Sequence, residues 1–223
     1  MDDSGLKRLA ASLPRHPGIL DKERYLNAAV LIPLVKTHGE FSFLFQKRAS
    51  GIRQGGEISF PGGQFEPGRD PDCREAAIRE AMEELGITRE TISIQGRLDT
   101  FLSPRGVTID SFLAILDIRG LEDLHPDSTE VEDLFLLPVA WFENHLPREY
   151  NLDLEIKPVC TDDNGKEIDL LPVAELGLPP HYAKPWPGLK HRVFVYQTPK
   201  AVIWGITASL IQAVITRLNR IED

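Results

Sequence analysis

The stretch Arg79-Glu80-Ala81-Met82-Glu83-Glu84-Leu85-Gly86-Ile87 places three carboxylates at positions i, i+3 and i+4. On a helix such like charges repel, at about 0.2–0.5 kcal/mol per pair, unless something positive sits between them. A hard divalent cation such as Mg²⁺ takes oxygen ligands, and one or two carboxylates plus substrate phosphates complete its shell. Just upstream, residues 49–70 are rich in Gly and Pro, which lets backbone groups approach a phosphate closely. Metal plus phosphate is the chemistry these residue types and spacings point to. The competing reading is a solvated acidic face, and the glycine-rich loop weighs against it.

The elements that must position these groups follow from periodicity and punctuation. A helix is predicted from Asp70 as N-cap and Pro71 as its first residue to Gly86 as a left-handed cap. Ala77, Ile78, Ala81 and Leu85 form its buried stripe, with Glu80, Glu83 and Glu84 on the other side, away from the core. Upstream, 27–35 and 41–48 read as two strands joined by a turn carrying Gly39, and 49–70 as a loop. Downstream, 92–102 and 107–118 read as strands, and 130–142 as a strand leading into a turn or short helix. Residues 143–190 read as an insertion holding a hairpin at Asn164-Gly165. His191–Gln197 is a predicted strand, and 201–221 an apolar helix with a basic last turn. Residues 1–24 form a lead-in whose Leu6, Leu9, Ala10 and Leu13 recur at helical spacing for packing.

With 223 residues, 42% of them hydrophobic, the chain can bury a full core, and it reads as one domain over 1–223. Its formal charge of −9 argues against nonspecific binding to nucleic acid or an anionic membrane. Cys73 and Cys160 are far apart without C-x-x-C spacing, which argues against a disulfide framework or thiolate zinc and for a reducing compartment. The polar start and the lack of a long apolar run predict a soluble, cytoplasmic protein.

Gly62-Gly63, a loop and "REAMEELGI" resemble the Nudix box, G-x5-E-x7-R-E-U-x-E-E-x-G-U with U aliphatic. Ala81 stands at the aliphatic site. Two departures occur in the first half: Arg79 lies sixteen residues after Gly63 instead of fourteen, and Arg69 holds the place of the first glutamate, with Asp70 the nearest acid. "FLFQKRASGIRQGGEISFPGG" is similar to the upstream signature of the coenzyme A pyrophosphatase branch, through Arg48, Arg53, Gly56, Glu57, Phe60 and Pro61, and "VIWGITASLI" to its C-terminal helix start.

The resemblance implies an α/β (α+β) Nudix fold, a mixed sheet sandwiched between helices. It implies Mg²⁺- or Mn²⁺-dependent hydrolysis of a nucleoside diphosphate, with coenzyme A cut to 3′,5′-ADP and 4′-phosphopantetheine. Glu80, Glu83 and Glu84 would be metal ligands, with Arg79 orienting one of them. Glu83 and Glu130 are the candidates for general base. Arg48 and Arg53, with Lys47 nearby, would meet phosphates beside the Gly62-Gly63 backbone. A homodimer acting on a small nucleotide is also implied. Asp70 as a ligand is set against its capping role, and Glu57 near the metals against a loop salt bridge.

His38, His125, His145 and His181 read as solvent-facing, while His191 and Arg192, at a strand start, are candidates to line a pocket. Trp204 and Phe194 read as core in preference to a nucleobase platform. Alternative substrates are ADP-ribose, dinucleoside polyphosphates and nucleoside triphosphates. Alternative classes are a Nudix-like ligand sensor and a scaffold whose acidic helix binds a basic partner.

Overall fold

The computed structural model describes residues 1–15 and 18–220, and falls into two compact units. The first comprises Met1–Gly56 and Phe60–Leu137, the second Glu57–Ser59 and the chain from Pro138 onward. In chain order up to residue 138 the elements are α1 (Asp3–Ser12), β1 (Leu26–Thr37), β2 (Glu40–Arg48), β3 (Ile58–Ser59, which groups with the second unit), β4 (Gly62–Gln64), α2 (Cys73–Leu85), β5 (Ile92–Arg97), β6 (Phe101–Ser103), β7 (Val107–Leu116) and β8 (Val131–Pro138).

The sheet of the first unit is mixed. β1 and β2 form a hairpin closed by His38-Gly39, so the strands reach further into the turn than composition suggested. β1 runs parallel to β7, and β5 and β6 pair antiparallel with β7. The stretch predicted as one strand over 92–102 is therefore two, β5 and β6, pairing with different parts of β7. Within the glycine-rich 49–70 segment β4 pairs with β1, Gly62 opposite Val30 and Gly63 opposite Ala29. A loop was predicted there because glycine is depleted in strands. At Gly62 the missing Cβ is what permits pairing, since a Cβ would stand 2.4 Å from the Ala29 carbonyl oxygen.

Alternation along the strands sends Ala29 and Leu31 of β1, Leu44 of β2, and Phe112, Ala114 and Leu116 of β7 onto one face. α2 covers that face with Ala76, Ala77, Ala81 and Leu85. Phe45 on the opposite face stacks between Phe60 and Phe135, at centroid distances of 5.0 and 5.4 Å. α1 forms as predicted, capped by Asp2, which accepts the Gly5 N–H at 2.7 Å. It does not pack: no residue of α1 is buried, and Leu6, Leu9 and Leu13 remain at least half exposed. Its spacing marks an apolar face, but periodicity alone does not supply a surface to bury it against.

The second unit contains α3 (Val139–Asn144), β9 (Arg148–Leu152), β10 (Glu155–Ile156), β11 (Val159–Thr161), β12 (Glu167–Asp169), β13 (Trp186–Pro187), β14 (His191–Gln197), β15 (Val202–Trp204) and α4 (Gly205–Asn219). β14 lies between β9 and β15, and β11 and β12 form the hairpin predicted around Asn164-Gly165. The helix predicted from residue 201 starts at Gly205, because Val202–Trp204 pairs with β14 instead. Its last residue in that prediction, Ile221, lies outside the described residues. Leu210, Ile211 and Ile215 of α4 are buried, and Thr207 Oγ1 donates to the Ile58 carbonyl at 3.1 Å. Trp204 is 49% exposed, contrary to its reading as core: the residue stands at the strand-to-helix junction and not within the apolar stripe of α4. Phe194 is half-buried beneath the Arg192 guanidinium, 4.9 Å from its ring centre.

Candidate active site

α2 begins two residues later than predicted. Asp72 is its N-cap and accepts the Glu75 N–H at 2.9 Å. Gly86 ends it in the left-handed region at φ +64°, as expected. Asp70 is thereby freed for another task. Buried, it accepts the Glu66 N–H at 2.9 Å and two hydrogen bonds from Arg79, from Nε at 2.8 Å and from Nη2 at 3.0 Å. Hydrogen bonding to Arg79 holds the Asp70 carboxyl below the usual range against the opposing effect of burial.

This two-pronged contact fixes the plane of the Arg79 guanidinium. Its remaining nitrogen, Nη1, donates to Glu80 at 2.8 Å and to Glu83 at 3.1 Å. Arg79 therefore touches two of the three box glutamates, Glu80 and Glu83, and Asp70 supports it from behind. Glu83 is exposed and also meets Arg69 Nη2 at 2.5 Å. Burial pushes Glu80 up; Arg79 opposes this, and the like charges of Glu83 and Glu130 add to it. The Glu80 carboxylate fits against Gly63, where a Cβ would stand 2.3 Å from it.

Glu84 departs from the prediction that all three carboxylates avoid the core: it is 2% exposed. On a helix of 3.6 residues per turn, position 84 falls only about 20° from Ala77, two turns earlier, and so flanks the buried stripe. Its Oε2 accepts the Gly62 N–H at 2.9 Å, and Arg48 Nη1 stands 3.6 Å from Oε1. Burial pushes its carboxyl up to about 7, against the pull of Gly62, Gln46 and Arg48. Gln46, two residues before Arg48 on β2, is fully buried on the same face. It was not singled out from the sequence, although the alternation Leu44, Gln46, Arg48 carries the signal.

The upstream residues divide. Arg48 reaches Glu84, and its Nε donates to the Arg53 carbonyl at 3.3 Å, closing a loop completed by the Gly56 N–H on the Arg48 carbonyl. The Arg53 side chain is exposed. Lys47, one residue off in the alternation, pairs with Glu132 instead. The Glu130 carbonyl accepts the Ala49 N–H at 2.8 Å, tying that candidate base to the Arg48 segment. Glu57 and His191 belong to the second unit. His38, His125, His145 and His181 are exposed as expected.

Among the described residues no three Asp, Glu, His or Cys side chains stand as a ready metal-ligand group. Arg79 lies between Glu80 and Glu83, and Glu84 turns to Gly62. The donors are nevertheless all carboxylate oxygens, as a hard divalent ion requires. Glu84 is buried with one distant cation, which leaves negative charge for another to match.

A family model described as NUDIX domain matches residues 25–187. The chain belongs to the Nudix family. The match takes in parts of both units and most of the segment read as an insertion. Over 121 residues this Nudix chain is 36% identical to the mitochondrial coenzyme A diphosphatase NUDT8 of Homo sapiens, covering 53% of this chain and 51% of that protein. It is 36% identical over 140 residues to Nudix hydrolase 3 of Caenorhabditis elegans, covering 60% of this chain and 57% of that one. The chain thus spans little more than half the length of these two curated relatives. An uncharacterized Nudix hydrolase NudL of Pectobacterium atrosepticum is 26% identical over 215 residues, 96% of this chain and 93% of that protein. Among the described residues no helix is long and apolar enough to cross a membrane.

Proposed function

We propose that this chain hydrolyses a nucleoside diphosphate linkage with Mg²⁺ or Mn²⁺, and that coenzyme A or its thioesters are the substrate, yielding 3′,5′-ADP and (acyl-)4′-phosphopantetheine. One observation carries the reading. Arg48, from the upstream signature, lies against Glu84, from the glutamate helix, beside the Gly62 N–H, so two motifs separated in sequence converge on one carboxylate. The similarity to a relative named as a coenzyme A diphosphatase supports the substrate choice.

Glu80, Glu83 and Glu84 would hold the ion. When bound, the ion neutralises the diphosphate and lowers the pKa of a bound water. Asp70 holds Arg79, and Arg79 in turn orients Glu80 and Glu83. Arg48 and Arg53 supply bidentate contacts to phosphate, and the Gly62-Gly63 backbone admits the phosphate closely. Glu83 or Glu130 takes the proton from the attacking water. A single domain over 1–223, a homodimer and a cytoplasmic setting belong to the same proposal.

The test is product analysis after incubating the protein with coenzyme A, ADP-ribose and a dinucleoside polyphosphate, each with Mg²⁺, Mn²⁺ or chelator. Fastest release of 3′,5′-ADP and 4′-phosphopantetheine, abolished by chelator, is the expected result. Faster cleavage of ADP-ribose or the dinucleoside polyphosphate would reject the substrate while keeping the reaction class. Cleavage undiminished by chelator would reject the metal.

A further inference from the structure

β2 presents Leu44, Gln46 and Arg48 to the same face, a progression from core leucine through a buried amide to a guanidinium. Arg48 and Glu84 form an ion pair at 3.6 Å, longer than a hydrogen bond. Gln46 is 0% exposed, and among the described residues neither its Nε2 nor its Oε1 has a hydrogen-bond partner of regular geometry. On the same face of β2, Leu44 packs with Ala81 and Leu85 on either side of Glu84 in α2, and Arg48 reaches Glu84 itself, so the amide between them lies on the side of the strand that Glu84 occupies. A buried amide unmatched at both ends is costly and calls for an explanation.

We propose that Gln46 is a positioning residue for Glu84: its buried amide donates to the carboxylate and holds it toward a divalent cation when that cation draws Glu84 away from Arg48. The inference rests on the metal reading given above. A neutral donor suits this role. A second guanidinium would compete with the cation for the same oxygen, whereas an amide adds no charge. Glu84 Oε2 is already tied to the Gly62 N–H at 2.9 Å, leaving Oε1 as the oxygen that a further donor must steady. In metalloproteins, outer partners of ligating carboxylates are worth about 10- to 100-fold in metal affinity.

The test replaces the amide by apolar groups of similar length, Gln46→Met and Gln46→Leu, in the full chain. Mn²⁺ binding is followed without substrate, by electron paramagnetic resonance of free Mn²⁺, alongside melting temperature in chelator. The expected result is a metal-free melting temperature equal to or above wild type, because an unmatched polar group is gone, with Mn²⁺ affinity at least about 10-fold weaker. A purely structural amide would do the reverse. Mn²⁺ affinity within twofold of wild type in either variant overturns the proposal, as does a marked fall in melting temperature in both. If wild type itself binds no Mn²⁺, the metal reading falls and this inference with it, an outcome distinct from loss in neither variant.

Discussion

Two carboxylates of the first unit are equally buried and titrate in opposite directions. Asp110 on β7 is 3% exposed and Glu84 on α2 is 2% exposed. Burial works to raise both. At Asp110 it is outweighed by the Thr100 hydroxyl, Lys22 and the Cys73 thiol, and the carboxyl is held at about 2. Arg97 Nη2 at 2.6 Å and Lys22 Nζ at 3.0 Å place two cations on that one acid. Glu84 has a single guanidinium at 3.6 Å and sits at about 7. Both side chains are shielded from solvent to the same extent, and what visibly separates them is charge compensation. Asp110 is electrostatically complete and belongs to the fold; Glu84 is incomplete and suits a site that receives another cation.

The sharpest way to break this contrast is Glu84→Gln. Loss of a ligand predicts a fall in kcat/KM of roughly 100-fold or more, while the metal-free fold is retained because a neutral amide replaces an under-compensated charge. Steady-state kinetics and a melting curve in chelator read both halves. Wild-type activity in Glu84→Gln would sink the metal assignment.

The same contrast has a pH signature. The folded pKa of Glu84, about 7, is raised above the ordinary glutamate value of 4.5. The protonated form is therefore favoured in the fold, and the stability it contributes is full below about 4.5 and is lost as pH rises to about 7. The decline is on the order of 3 kcal/mol across that window. Denaturant unfolding in chelator should show it in wild type, and Glu84→Gln should flatten it. Asp110 predicts the opposite sign: its contribution holds at neutral pH and is lost only as pH falls through about 4 toward 2. A wild-type curve with no fall between pH 4.5 and 7 would mean that Glu84 is compensated after all.

Asp110→Asn should cost stability and not catalysis. Removing one partner of a buried pair costs about 3–5 kcal/mol when the other charge stays buried. Here Lys22 and Arg97 keep 35% and 52% of their side-chain surface in water, so about 2 kcal/mol is the expected loss. Activity per folded molecule should match wild type. A large drop in kcat/KM at full folding would erase the division between the two acids.

How much of this was legible beforehand differs by element. The stripe of α2, its glycine cap, the Asn164-Gly165 hairpin and the strand His191–Gln197 follow from local signals, and the structure has them. The box residues were found by type and spacing, and Arg79, Glu80 and Glu83 do meet. What escaped was non-local. Asp70 looked like a cap because Pro71 follows it, and Arg79, nine residues on, together with the Glu66 N–H, holds it instead. Glu84 looked solvated because its burial depends on Gly62 of a strand that composition hid. α1 shows the limit in reverse: periodicity names an apolar face but not what, if anything, covers it.

The smallest effect is the finest probe of the contrast. Arg69, standing where the box has a glutamate, pairs with Glu83 at 2.5 Å across surfaces that are 51% and 47% exposed. An exposed pair of this kind is worth about 0.2–1 kcal/mol, so Arg69→Ala should barely move the melting temperature. Glu83 would then lose a cation that a divalent ion must displace, and the half-saturating Mn²⁺ concentration should fall about twofold. Glu84, which Arg69 does not touch, should keep its pH signature unchanged. If Arg69→Ala instead weakens Mn²⁺ binding, the arginine helps to build the site. In that case compensation by arginine would not separate structural from functional carboxylates here.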